Sequence, residues 1–378
     1  MLRAVEGLGG VPPRKLTTIL CSAVFVAALF LSLFTNHFAG PLAALRGDAS
    51  LPATTPPLPS PVPSDIAGPP SPVEQSQFEE PPSPIAATPQ IPLGYAGKCG
   101  NDTHAAARNV WLDADASYAH LMDDKFTIAI LTYKRPEVLN VTLSKLLSAP
   151  IPSLHEIVII WCESPNPPPS YTSHSGVRIR YRYSPYDSLN ARFEPDPLYE
   201  TQAILSHDDD VWYEPSDLEF VFQTWRQLGR YRITGALPRC FSRNDKGSLS
   251  YHPCRKGQDW YSMVLTNLAF IHISLMDYYF SSEPIPTLIR AHVDENFNCE
   301  DIGMNYIASM LTCTGPLHVK GKEGFKNQDP KKGISKGSKG GGHFAKRNRC
   351  LNYFEEVVGF FPLVKQMGSI HRGIDWFN

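Results

Sequence analysis

Phe126-Thr-Ile-Ala-Ile-Leu-Thr-Tyr-Lys-Arg135 decides how this chain is read: an uncharged apolar run, Phe126 to Leu131, stops at a polar segment, Thr132 to Arg135. Such a run, bounded so abruptly, reads as a buried strand entering a loop. Outward from it, Pro136 to Ser148 (PEVLNVTLSKLLS) spaces Val138, Leu139, Leu143 and Leu146/Leu147 as a helix does, with proline at its start. Glu156-Ile-Val-Ile-Ile-Trp161 is a second buried strand, and Val177 to Tyr183 alternates like a third. Ala203-Ile-Leu205 is a short strand running into His207-Asp-Asp-Asp210, and Asp217 to Leu228 is an amphipathic helix. Strand–helix–strand order with buried strands predicts an α/β domain built on a mostly parallel sheet. Ligands of such sheets bind beyond the carboxyl ends of the strands. Thr132–Arg135, Cys162–Ser164 and Asp208–Asp210 lie at such ends and are expected to converge on one crevice.

Three adjacent carboxylates repel one another unless they are solvated or neutralised by a cation. Asp208-Asp-Asp210 directly follows an apolar strand and precedes Val211-Trp-Tyr213, so it reads as a partly enclosed site. Hard oxygen ligands favour Mg²⁺ or Mn²⁺, ions that also bind diphosphate oxygens. An acidic surface turn is the plain alternative. His207, His292 and His343 have no metal-ligand spacing and read as structural or contact residues.

The N-terminal quarter is organised differently. Residues 16–34 read LTTILCSAVFVAALFLSLF, without a charge, behind Arg3, Arg14 and Lys15. About 20 apolar residues cross the hydrocarbon of a bilayer, and basic flanks stay cytosolic. The expected plan is a cytosolic tail (1–15), a signal-anchor helix (16–34), a stem (35–96) and a luminal domain (97–378). A cleaved signal peptide ending near Phe38-Ala-Gly40 is the rival. Leu51 to Pro92 holds much of the chain's complement of 35 prolines, which neither pair into sheets nor continue helices; it reads as an extended stalk. Cys99, Cys162, Cys240, Cys254, Cys299, Cys313 and Cys350 would be luminal, an odd number, so one stays free or pairs between chains. Asn101-Asp-Thr103 and Asn140-Val-Thr142 are glycosylation sequons. The net charge of −2 gives no basic excess pointing to nucleic acid.

Several stretches together carry a resemblance: Leu131-Thr-Tyr-Lys-Arg135, Ser188-Leu-Asn-Ala-Arg192, Glu200 to Asp210 (ETQAILSHDDD), Tyr261 to Thr266 (YSMVLT), Val293-Asp-Glu295, Asn298 to Asn305 (NCEDIGMN) and His343 to Cys350 (HFAKRNRC). In this order they resemble the exostosin C-terminal glycosyltransferase domain, family 64 of the glycosyltransferases, from Phe126 to about Pro362. The resemblance implies a single-domain GT-A nucleotide-sugar-binding fold and a retaining transferase. It implies Asp210 as the direct Mn²⁺ ligand (Mg²⁺ being the other candidate), with Asp208 also at the metal. Asp208 and Asp209 would lie near the ribose and diphosphate of a UDP-sugar. Arg135, Asn190 and Arg192 would lie at the nucleotide. Asp301, beside Glu300, would act at the reaction centre, and Arg347 would lie over the diphosphate. The resemblance also implies a Cys299–Cys350 disulfide holding Asp301 and Arg347 near one another.

Two features weigh on these roles. Glu300-Asp301 also suits a helix N-terminus, and Arg347 also suits a solvated basic cluster with Lys346 and Arg349. Leu131, Cys162 and Asn267 stand where the resemblance leads one to expect polar residues, at the first two positions, and glycine, at the third, which bears on donor identity. The expected activity is transfer of a hexosamine, N-acetylglucosamine from UDP-GlcNAc, to a glycan or glycolipid acceptor at the Golgi or ER membrane, from a type II anchor. A UDP- or GDP-hexose donor, or a catalytically silent luminal glycan-binding or partner module, are the alternatives. A dimer or a partner transferase is the assembly left open. The glycine- and lysine-rich stretch Lys320 to Gly342 reads as a surface loop that is disordered without donor, with a flexible lid closing on an anionic diphosphate as the alternative.

Overall fold

The computed structural model describes residues 104–163, 166–171, 173, 175–328 and 342–373, all within the unit 82–378. The expected anchor and stem, the sequon at Asn101, and residues 329–341 of the lysine-rich stretch lie outside the described residues. Among the described residues no helix is long and apolar enough to cross a membrane.

In chain order the elements are α1 (Ala105–Ser117), β1 (Met122–Thr132), α2 (Pro136–Leu146), β2 (Leu154–Trp161), β3 (Arg178–Tyr183), β4 (Thr201–Asp208), β5 (Val211–Tyr213) and α3 (Pro215–Thr224). There follow β6 (Thr234–Gly235), β7 (Pro238–Arg243), β8 (Leu249–Pro253), β9 (Met263–Val264), β10 (Leu268–His272), α4 (Ile273–Phe280), α5 (Pro284–Asn296) and α6 (Glu300–Thr312). The last are β11 (Leu317–Lys320), β12 (Phe325–Asn327), α7 (Gly342–Val358) and β13 (Ser369–His371). Proline opens α2, α3 and α5, where its fixed φ suits the first turn and its missing N–H costs nothing.

The main sheet has eight strands in the order β13-β11-β6-β10-β4-β1-β2-β3. Pairings β1–β2, β1–β4 and β2–β3 are parallel, as expected for buried apolar strands. β10 runs antiparallel to both of its neighbours, so the sheet is mixed. Two smaller sheets, β8-β7-β9 and β12-β5, flank it.

Alternation along β1 divides the core. Phe126, Ile128 and Ile130 pack with Leu139, Leu143 and Leu146 of α2 and with Leu218 and Phe222 of α3. Ala129 faces the other way, into a cluster with Trp111 of α1, Tyr279 of α4, Ile302 of α6 and Phe354 of α7. Helices thus cover both faces of the sheet, and the strand ends are left as the place for chemistry. Gly303 is required by this packing: a Cβ there would lie 2.6 Å from Ile289 Cγ2 of α5.

The buried Asp217 in the first turn of α3 closes the far edge. It accepts from the backbone amides of Lys322 and Glu323, each at 2.9 Å, and from Arg372 Nη1 at 2.8 Å. Gly321 makes that approach possible, since a Cβ there would lie 2.4 Å from the Asp217 carboxylate. Asp217→Ala is therefore expected to cost about 2–3 kcal/mol, because it strips a buried charged acceptor from three donors. Equilibrium denaturation of the purified protein measures this; a loss below about 0.5 kcal/mol, the level of an ordinary surface substitution, would remove the carboxylate from this role.

Candidate active site

The carboxyl ends of β1 and β4 lie side by side, with Leu131 opposite Asp208. β4 ends at Asp208, and Asp209 and Asp210 form the turn that follows. Asp209 is buried, whereas the side chains of Asp208 and Asp210 are 30% and 15% exposed. Asp209 is gripped throughout. Thr132 Oγ1 donates to Oδ2 at 2.7 Å, Arg135 pairs with Oδ1, and Thr142 Oγ1 of α2 donates to its carbonyl at 2.6 Å. Burial pushes its carboxyl up to about 7, against the pull of Arg135 and Thr132. Asp210 is raised as well, by burial and by Asp208 beside it.

Each carboxylate has an arginine. Arg135 bridges Asp209 and Asp210, reaching Asp210 Oδ2 at 3.1 Å. It is aimed there by Lys134, a non-glycine residue at φ 55° in the loop after β1. The buried Arg192 reaches Asp208 Oδ1 at 2.9 Å and the carbonyl of Thr266 at 3.4 Å. Burial alone would lower its pKa; Asp208, Glu300 and Asp301 more than offset that. Because β10 is reversed, its lead-in Thr266-Asn267 returns to the end of β4, where Asp208 N donates to the Asn267 carbonyl at 2.8 Å. Asn305 of α6 fixes the preceding strand, bonding both the N–H and the C=O of Val264.

The second half of the site is the start of α6. Cys299, at φ 79°, turns the chain into the helix, and Glu300 and Asp301 occupy the first turn. Asp301 Oδ1 accepts from Ile302 N at 2.9 Å, so the helix-terminal reading holds. Its Oδ2 accepts from Arg347 Nη1 of α7 at 2.6 Å, and both side chains are buried. Arg347 is thus no solvated basic cluster. Its Nη1 also donates to the Tyr251 hydroxyl at 2.9 Å, and its guanidinium lies 4.9 Å from the centre of that ring. Burial would lower the Arg347 pKa; Asp301, Tyr251 and Glu300 reverse the direction and hold it charged. The Cys299–Cys350 disulfide joins the two helices beside this pair, as the resemblance implied. A second joins Cys240 to Cys254 across the β7–β8 hairpin, and Cys162 is free and buried.

Asp209 and Asn190 sit differently from the expectation of nucleotide contacts. The Asp209 carboxylate faces Thr132 and Arg135. The Asn190 amide is spent inside the protein: it donates to Asp294 Oδ1 at 2.9 Å and to the Arg290 carbonyl at 3.0 Å, and accepts from Tyr279 at 2.6 Å. His207 is buried, its pKa pushed down to about 4 by desolvation, and it serves as a structural residue bonded to the Asp208 carbonyl. Sequence reading brought Thr132 to the crevice but gave no site role to Thr142, Tyr251 or Asn305.

A divalent ion would find no ready-made cage. Among the described residues no three His, Cys, Asp or Glu side chains gather as metal ligands. The partly exposed carboxylates of Asp208 and Asp210 still fit an ion of the Mg²⁺ or Mn²⁺ type, which commonly takes one or two carboxylates and completes its shell with phosphate and water.

Glu300 gives the site a pH signature. Burial and the neighbouring Asp301 push its carboxyl up to about 7, while Arg192 and Arg347 pull it down. A carboxyl raised in the folded state favours folding below its unfolded pKa of about 4.5, and that contribution is lost as pH rises through about 7. Glu300→Gln should therefore gain stability relative to the parent between pH 5 and pH 8. Unfolding curves of both proteins at the two pH values check this, and a pH-independent difference would refute it.

Comparison with known proteins follows the same residues. The sequence profile described as the Glycosyl transferase family 64 domain matches residues 126–374. The Exostosin-like-3 homolog of Caenorhabditis elegans is 33% identical over 242 residues, 64% of this chain and 28% of that protein. Glucosamine inositolphosphorylceramide transferase 1 of Arabidopsis thaliana is 32% identical over 238 residues, 62% of this chain and 30% of that protein. Glycosylinositol phosphorylceramide mannosyl transferase 1 of the same plant is 31% identical over 272 residues, 67% of this chain and 78% of that protein. The chain thus spans under a third of the length of the first two. With its sheet, both halves of its polar crevice and nearly all of its described residues inside the matched region, the chain belongs to glycosyl transferase family 64.

Proposed function

We propose that this chain is a metal-dependent, retaining transferase of GT-A type. It would move an N-acetylhexosamine, N-acetylglucosamine from UDP-GlcNAc, to a glycan or glycolipid acceptor in the secretory pathway, from a type II membrane anchor. One observation carries the reading. Arg192 is buried between the Asp208 carboxylate and the Glu300-Asp301 pair, so a carboxylate cluster suited to a cation and a carboxylate–arginine pair suited to bond breaking share one crevice. The glucosamine and inositolphosphorylceramide in a relative's name support the sugar and the glycolipid class.

Breaking a sugar–phosphate bond builds negative charge on the diphosphate and positive charge at the anomeric carbon. Arg347, held charged and pre-aimed by Tyr251, would meet the first. Asp301, 2.6 Å from Arg347, would meet the second. Glu300, with its carboxyl near 7, suits a group that takes the proton of the acceptor hydroxyl. Arg135 and Arg192 would bind and orient the nucleotide. Asp208 and Asp210 would hold a divalent ion, which when bound neutralises the diphosphate as a Lewis acid.

A second reading keeps the crevice and changes the donor to a GDP-hexose. It is favoured by the mannosyl transferase relative, 78% of whose length is matched. A panel of nucleotide sugars with Mn²⁺, scored by nucleotide release, separates the two.

The catalytic assignment is tested by two substitutions. Asp210→Ala should abolish Mn²⁺-dependent binding of nucleotide. Asp301→Asn should lower kcat by roughly 10²–10³, the worth of one electrostatic contribution of about 3–4 kcal/mol. Its nucleotide affinity should hold or rise, because Arg347 loses its internal carboxylate. Calorimetric titration with UDP and turnover assays supply the two numbers. Wild-type turnover by Asp301→Asn would return Asp301 to a helix-terminal role alone.

A further inference from the structure

The sheet β8-β7-β9 turns one face toward α7, and three residues of β7 alternate onto that face: Arg239, Phe241 and Arg243. Register fixes them: Phe241 stands opposite Tyr251 and Arg239 opposite Pro253, so Arg239 is the diagonal neighbour of Tyr251 on the same side. Two members of this face have found their partners on α7. Arg243 Nη2 donates to Glu355 Oε1 at 2.7 Å, and the Tyr251 hydroxyl accepts from Arg347 at 2.9 Å. Glu355 lies toward the end of α7 and Arg347 toward its start. Arg239, two residues from Phe241 in the direction away from Arg243, therefore stands by the first turns of the helix.

There it has no carboxylate among the described residues. It is half-buried; its Nη1 donates to the adjoining Pro238 carbonyl at 2.8 Å, and its side chain also hydrogen-bonds Tyr251, the phenol that Arg347 engages. These partners are neutral, and a half-buried guanidinium whose charge no carboxylate meets is costly unless an anion does. The surroundings add positive charge. The pKa of His343 is lowered by burial first and then by Arg347, Lys346 and Arg239, with Asp301 opposing. The backbone of Arg239 is tied to the crevice through β9. Its carbonyl accepts from Ser262 N at 3.0 Å, and β9 runs on to the Thr266-Asn267 segment beside Asp208.

We propose that Arg239 is a second phosphate-binding arginine of this crevice, set beside Arg347 to grip an oxyanion that Arg347, shared with Asp301, does not neutralise alone. The inference rests on the transferase reading above. The phosphoryl group belongs either to the diphosphate of the donor or to a phosphodiester in the acceptor, and the fork geometry serves both.

The test uses the full chain in detergent, with Arg239→Gln and Arg239→Lys. The probes are UDP and GDP with Mn²⁺, and glycerophosphoinositol against myo-inositol. Loss of one charge-assisted contact is read as about tenfold weaker binding. Weaker UDP and GDP binding by Arg239→Gln, partly restored in Arg239→Lys, supports the proposal and assigns the donor diphosphate. Unchanged nucleotide binding with about tenfold weaker glycerophosphoinositol binding and unaltered myo-inositol binding supports it and assigns the acceptor. Wild-type affinity for every probe in Arg239→Gln overturns it. Should Arg239→Gln fail to fold, Arg239→Lys decides: it keeps the charge and loses the fork, so wild-type affinity in that variant also overturns the proposal. A parent protein that binds neither UDP nor GDP removes the transferase reading itself, which is a different failure.

Discussion

Five carboxylates, Asp208, Asp209, Asp210, Glu300 and Asp301, crowd the end of an apolar sheet, and the rest of the site is arranged around keeping them there. Left alone they would repel one another and lose solvation; the rises at Asp209 and Glu300, each to about 7, are what remains of that cost after compensation. Arg135, Arg192 and Arg347 supply the compensation, and each arginine must itself be held. Lys134 adopts φ 55° to aim Arg135, the Thr266 carbonyl takes a donor of Arg192, and Tyr251 supports Arg347. The polar layer is thus a lattice of alternating charge, and the apolar strands beneath make it rigid. A charged pair of this kind is weak evidence for stability but good evidence that its geometry is specified.

What was legible in the sequence was whatever depends on neighbours in the chain. The uncharged runs gave β1, β2 and β4, the 3.6-residue spacing gave α2 and α3, and the strand-end rule brought Thr132–Arg135 to the aspartates. What depends on distant pairing was not legible. Leu268-Ala-Phe-Ile-His272 reads as a buried strand in either direction, so nothing local announces that β10 is reversed; yet that reversal brings Asn267 to Asp208. Asp209 and Asp210 form the turn beyond β4, so the burial of Asp209 is set by Thr132, Arg135 and Thr142 around that turn, and no strand periodicity announces it. Tyr251 matters because of a helix a hundred residues later, and no motif marks it. The Cys299–Cys350 pairing came from resemblance, and the Cys240–Cys254 pairing had been left open.

The sequon Asn140-Val-Thr142 shows how a motif can carry two meanings. Asn140 is exposed on α2, as a glycan acceptor requires, but Thr142 is buried and its hydroxyl is committed to the Asp209 carbonyl. A threonine at that position is needed to satisfy a backbone acceptor beneath the carboxylates whether or not the asparagine is modified. The motif therefore carries less information about the lumen than its spelling suggests, and the residue that completes it belongs to the site.

The register of α7 is the last constraint, and it explains why Arg347 meets Asp301 at all. A helix lying on a sheet can settle one turn away, about 5.4 Å, with similar packing. Here α7 is fixed from two sides. Asn348 Oδ1 accepts from Tyr251 N at 2.8 Å, and Asn352 bonds both the N–H and the C=O of Leu249, so the helix completes the free edge of β8 much as a neighbouring strand would. On the other side the Cys350 disulfide ties it to Cys299, the residue that opens α6. A one-turn slip would break the asparagine pairs and the covalent link together. Arg347, one residue before Asn348 and three before Cys350, is therefore delivered to the same point between Tyr251 and Asp301, and its charge is set in place before any ligand arrives.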